Sequence, residues 1–164
     1  MKYFFSLLMF AFVFTGYAQT VDDAIDWNDQ IVTTQTVMLT FEDALVEVLA
    51  EGMPGGIVDI VYESYINYID YSIKYYKAED PFDSQDIFRK AILDLLADFK
   101  KIAETEYAEL VELNNKPIED LTDDDFERWD YLANRLDELE IESNADFLEA
   151  QQAFADQYGF SLGD

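Results

Sequence analysis

The chain has 164 residues, 36 of them acidic and 10 basic, for a formal charge of −26, yet half of it is hydrophobic. That length suits one domain with a real core, and the apolar half excludes a disordered acidic tail. The charge repels phosphate backbones and anionic lipid headgroups, so nucleic acid is not an expected partner. With no Cys and no His, disulfides, thiol chemistry, the usual general base and the commonest transition-metal ligand are all removed.

The first stretch reads as an export signal. Lys2 precedes an apolar run from Tyr3 to Phe14, in which Ser6 is the one small polar residue, and Gly16-Tyr17-Ala18 follows. A charged start, an apolar middle and small residues before the cleavage point are the order of a secretory signal. A membrane anchor is the rival reading, but the run is shorter than the roughly 20 residues a spanning helix needs. The expectation is a signal peptide over 1–18, a single domain over 19–164, and no transmembrane segment after cleavage. The mature chain is then expected in the periplasm, on the cell surface or in the medium.

Four amphipathic helices follow. In the first, about Asp22 to Glu51, Ala24, Trp27, Ile31, Thr34, Met38, Phe41, Leu45 and Val48 recur at steps of three and four, drawing one stripe down a helix. Asp22 and Asp23 suit its start, and Gly52, Pro54, Gly55 and Gly56 end it. The second, about Ile57 to Ala78, is rich in β-branched and aromatic residues, so a strand competes. Strict alternation fails, however, and Val58, Tyr62, Tyr65, Ile66, Ile69, Ile73 and Tyr76 fall on one helical arc.

After Asp80-Pro81, Asp83 or Ser84 is expected to cap a third helix reaching about Asn115, with Phe88, Ile92, Leu95, Phe99, Ile102, Leu110 and Leu113 as its stripe. Thr122 and Asp125 have the spacing of a capping box for the fourth helix, and Asp123 and Asp124 favour the positive end of its dipole. Trp129, Leu132, Leu136, Leu139, Phe147, Ala150, Phe154 and Tyr158 form its stripe, and Gly159 stands where a C-terminal glycine belongs. Short links make neighbouring helices antiparallel, so the expected fold is all-α, an antiparallel up-down-up-down four-helix bundle.

Two stretches carry a family likeness. One is Asn28-Asp29-Gln30-Ile31-Val32 with Gln35 and Met38; the other is Phe147, Ala150, Gln151, Phe154, Ala155, Tyr158, Gly159 and Phe160. With the signal ending Tyr17-Ala18-Gln19, they make the chain resemble a family of exported bacterial helical-bundle proteins found in Bacteroidetes and among leptospiral surface proteins. The resemblance implies a bacterial origin and an envelope or surface location. It brings no catalytic residues.

Three features are candidates for chemistry. Glu106 stands mid-stripe in the third helix, between Ile102 and Leu110, and Glu42 stands at the edge of the first stripe. An up-down-up-down order puts the two at similar height, with Tyr62 and Tyr65 approaching from the second helix. Inward carboxylates can share a proton, hold a hard cation or accept from tyrosine hydroxyls. They can equally reach solvent past a neighbouring helix.

The second feature is a separate arc of Tyr68, Tyr71 and Tyr75, a rigid amphipathic surface that suits a protein or glycan partner unless a second neighbour buries it. The third is the acidic run with Asp123, Asp124, Asp125 and Glu127, which reads as a solvated helix start or as a weak attractor of divalent cations. It lacks the glycine and terminal Glu of an EF-hand loop. No nucleotide motif and no Ser-x-x-Lys occur after residue 18, so no cofactor is expected and catalysis is disfavoured. The sequence therefore points to an exported, noncatalytic contact protein, with an acidic cation-binding bundle built on Glu42, Glu106 or the 119–130 acids as the alternative.

Overall fold

A computed structural model describes residues 19–163; the expected signal over 1–18 lies outside them. Every regular element among the described residues is helical. Helix α1 spans Val21–Ala50 and α2 spans Gly55–Ala78. Helix α3, Ile87–Ile102, runs through a π-helical turn, Ala103–Tyr107, directly into α4, Ala108–Asn114, so the three form one rod. A 3-10 turn at Ile118–Asp120 leads to α5, Asp123–Tyr158. The described residues thus form four helical rods.

The rod ends follow their local chemistry. Both α1 and α5 begin with a reciprocal capping box. Thr20 accepts from the Asp23 N–H while Asp23 accepts from Thr20, and Thr122 and Asp125 do the same. Each box satisfies two of the amide donors that a helix start leaves over. Gly159 closes α5 at φ 73°, the left-handed region that glycine enters without a Cβ clash.

The start of the third rod departs from expectation. It begins at Ile87, and Asp83 caps the preceding loop instead, accepting from the Gln85 and Asp86 amides at 2.8 and 2.6 Å. Asp86 itself sits at φ 56°. Its carboxylate accepts from Nε of Arg89 at 2.8 Å, and Arg89 Nη1 donates to the carbonyls of Tyr76 and Glu79, both at 2.9 Å. Arg89 thereby ties the start of α3 to the otherwise unpaired carbonyl end of α2.

The core runs the length of the rods. Ile31, Met38 and Leu45 of α1 meet Val58, Tyr65, Ile69 and Tyr76 of α2 and the α3 stripe from Phe88 to Ile102. One end is aromatic: Trp27 stacks on Phe82 at 5.9 Å, and Phe82 meets Phe154 and Tyr158 edge-on at 5.4 and 5.3 Å. The α1 stripe differs in phase from the apolar pattern. Its buried members are Ala24, Asn28, Ile31, Met38, Glu42, Leu45 and Leu49, so Trp27, Phe41 and Val48 flank the seam.

Candidate functional site

The π turn determines which side chain of the third rod enters the core. Ala108 N–H reaches back to the Ala103 carbonyl, five residues away instead of four. The turn therefore accommodates one extra residue and rotates everything after it. An uninterrupted α-helix would carry Ile102 on to Glu106. Here Tyr107 takes that place, 1 % exposed, and Glu106 turns to the half-buried boundary, where it accepts from the Thr105 hydroxyl. The expectation of an inward Glu106 is corrected on this ground. Tyr62 supports the turn, its hydroxyl donating to the Ala103 carbonyl at 3.0 Å.

Glu42 lies within the core seam, not at its edge, and is 4 % exposed. Three groups, one from each of the other rods, meet around it. Tyr65 Oη of α2 donates to Glu42 Oε1 at 3.2 Å, and Tyr107 Oη donates to Glu140 Oε1 of α5 at 3.2 Å. The two tyrosine rings meet edge-on with centroids 6.0 Å apart. The Glu42 and Glu140 carboxyls lie close enough for each to alter the other's titration.

Burial raises the Glu42 carboxyl most, the Glu140 charge adds to it, and together they push its pKa up to about 8. Burial also raises Glu140, although the bond from Glu42 works the other way. Glu42, the deeper of the two, therefore holds its proton more strongly than a free carboxyl, and the pair titrates as a unit. Two neighbouring carboxylates, one of them buried, resist ionising together. Burial and the adjacent carboxylates raise both tyrosine hydroxyls, so they remain protonated donors. The quartet can hold and exchange one proton. No family model, curated protein or solved structure matches the chain.

The acids at the start of α5 do not converge. Asp123, Asp124 and Glu127 are exposed, while Asp125 closes the capping box and pairs with Lys116 at 2.6 Å. That lysine, with the Thr122 bonds, holds the Asp125 carboxyl below the usual carboxylate range. Among the described residues, no group of three or more acids is placed to hold a metal ion.

The tyrosine arc divides. Tyr68 is half-buried, stacked on Phe41 at 5.2 Å, with its hydroxyl donating to the Thr34 carbonyl at 3.3 Å. Tyr71 is 66 % exposed, and Tyr75, also exposed, accepts from Gln30 Nε2 at 3.1 Å. Together with Asp29, Thr33, Thr34 and Ser72 they line a groove of about 390 Å³ between α1 and α2.

Glu140 and Tyr107 are the site residues that the sequence did not reveal. The seven-residue spacing of Asn28, Gln35 and Glu42 was the available signal. Asn28 Oδ1 accepts from Gln151 Nε2 at 3.0 Å and Gln35 Nε2 donates to Asn144 Oδ1 at 2.8 Å, so Glu42–Glu140 is the third rung of a polar ladder between α1 and α5.

Proposed function

We propose that this is an exported, noncatalytic protein that works by binding, and that the α1–α2 groove of Tyr68, Tyr71 and Tyr75 takes a neutral glycan. The observation that carries this is the Tyr71 ring, two-thirds exposed in a groove lined otherwise by Tyr68, Tyr75 and Tyr76 and by hydroxyl, amide and carboxylate side chains. An exposed aromatic face stacks on the C–H face of a sugar, while Gln30, Thr33 and the Tyr75 hydroxyl offer bonds to its hydroxyls. A strongly anionic surface disfavours acidic ligands.

The rods are read as an antiparallel up-down-up-down bundle. Support comes from the pairings: Gln30 with Tyr75 and Glu42 with Tyr65 between α1 and α2, and Asn28 with Gln151 and Gln35 with Asn144 between α1 and α5. In both sets the partner number falls as the α1 number rises.

Titration of neutral oligosaccharides, followed by the tyrosine ring resonances, tests the binding reading. Saturable binding lost in Tyr71→Ala supports it; binding indifferent to Tyr71 overturns the groove, and a protein partner at Tyr71 with no sugar binding overturns the glycan. N-terminal sequencing of the secreted chain tests export, with Gln19 the expected first residue. Among the described residues no helix is long and apolar enough to cross a membrane.

A second reading, divalent-cation binding, would require the Glu42–Glu140 pair to give up its proton to the ion. A saturable rise in Tm with Ca²⁺ or Mg²⁺ beyond that of NaCl at equal ionic strength would support it.

A further inference from the structure

The seam between α1 and α5 is tied along one half and open along the other. From Asn28 to Glu42 the polar ladder joins the two helices. Beyond Glu42, no side-chain hydrogen bond or ion pair among the described residues links α1 to α5. The helices there flank a groove of about 440 Å³, walled by Val46 and Leu49 on one side and Trp129 and Leu136 on the other, with Tyr107 and Leu110 as its floor. Past Trp129 it continues into a second hollow, also about 440 Å³, walled by Ile118 and Phe126. The rim keeps large apolar groups in water: Val46 is 46 % exposed, Phe126 57 % and Ile118 83 %.

The charge around this apolar trough has one sign. Asp43 lines it from α1, and Asp137 and Glu140 line it from α5. The one base that lines either hollow, Lys116, is paired with Asp125 at 2.6 Å. Contiguous exposed apolar surface edged by charge marks an interaction site.

We propose that the open half of the α1–α5 seam docks a cationic amphipathic helix from another protein, its apolar face on Val46, Trp129 and Leu136 and its Lys or Arg residues along Asp43 and Asp137. The stretch of α5 from Phe126 to Glu140 is about 21 Å long at 1.5 Å per residue, so a helix of about 14 to 18 residues fills it. A second copy of this chain is a poor occupant. With 36 acids against 10 bases, it would bring carboxylates to a carboxylate rim. The site is on a different face from the tyrosine groove and does not depend on it.

Three synthetic 18-residue peptides test the proposal: a Leu/Lys peptide with amphipathic helical spacing, the same residues scrambled, and a Leu/Glu peptide with the original spacing. Each is labelled and titrated with the full chain, and anisotropy is read. The expected result is saturable 1:1 binding of the patterned Leu/Lys peptide, at least tenfold tighter than the scrambled one, with none for Leu/Glu. Val46→Lys with Asp137→Lys should weaken it at least tenfold. Both positions are surface-exposed, and Asp137→Lys alone serves if the pair does not fold. Equal binding of patterned and scrambled peptides would show only general charge attraction and overturn the proposal. So would binding unchanged in the variants, or a chain that binds no peptide but dimerises through Val46.

Discussion

Gln35 and Asn144 face each other across the seam of α1 and α5, the Gln35 amide donating to Asn144 Oδ1 at 2.8 Å. One heptad along α1 and one along α5, Asn28 and Gln151 repeat the pairing at 3.0 Å. Polar pairs at heptad spacing in a helical seam specify register, because a slip leaves the buried Asn28 and Gln151 and the half-buried Gln35 and Asn144 without their partners.

The first prediction concerns that matching. Gln151→Leu alone should cost about 1–3 kcal/mol, since it leaves Oδ1 of the buried Asn28 without its donor while Nδ2 keeps its bond to Asp29. The double change Asn28→Leu with Gln151→Leu should recover much of the loss by replacing both partners with apolar groups. Urea unfolding of the four forms completes the double-mutant cycle. Additive effects would mean that the two amides do not act as a pair.

The second prediction uses the raised Glu42 pKa. Its folded value of about 8 lies above the 4.5 of an unstructured Glu, so the folded state holds a proton that the unfolded state releases. Stability from this group is complete below about pH 4.5 and is lost as pH rises towards 8, by no more than roughly 5 kcal/mol. Glu42→Gln carries a permanent donor for Glu140 and should flatten the pH dependence between pH 5 and 8, with the variant more stable than the parent at pH 8. Parallel Tm-against-pH curves for parent and variant would refute the buried proton.

The helical rods were legible because apolar residues recur at helical steps, and the capping box at Thr122 and the glycine stop were legible from local chemistry alone, whereas Asp23 was read as an acidic helix start and not as the partner of Thr20. The content of the seam was not. A search for apolar periodicity passes over Asn28, Gln35 and Glu42 because they are polar, and so shifts to Trp27, Thr34 and Phe41 one position away. In the third rod the obstacle was different: the stripe reads smoothly through Ile102, Glu106 and Leu110, and nothing in the residue types announces an extra residue in one turn. Exposure of the tyrosine arc was hidden for a third reason. Whether Tyr68 or Tyr71 is covered depends on where Phe41 of α1 falls, and that is a tertiary fact.

The third prediction separates the tyrosines. Tyr71→Ala should change stability by no more than about 0.5 kcal/mol, because most of the ring is already in water. Tyr68→Ala should cost about 2 kcal/mol, because it removes the ring stacked on Phe41 and the bond to the Thr34 carbonyl. Equal costs in chemical denaturation would place both rings in the same environment and contradict the division.

The fourth prediction tests the π turn. Since Ala103–Tyr107 accommodates one residue more than an α turn, removing one should leave ordinary helix with the stripes on either side still aligned. Glu104 is the residue to delete: it is exposed, and its pairing with Lys100 at 3.5 Å lies at the surface, where such contacts contribute little. The deletion should fold, keep Tyr107 in the core and cost about 1 kcal/mol or less. Deleting the equally exposed Asp94 within α3 rotates Phe88 and Ile92 by about 100° against Leu96 and Phe99, taking one set out of the core, and should abolish cooperative unfolding. Thermal melts of the two deletions followed by circular dichroism decide the matter. If both unfold, the π turn is a fixed requirement of the fold; if both survive, the register of the third rod is looser than its buried stripe implies.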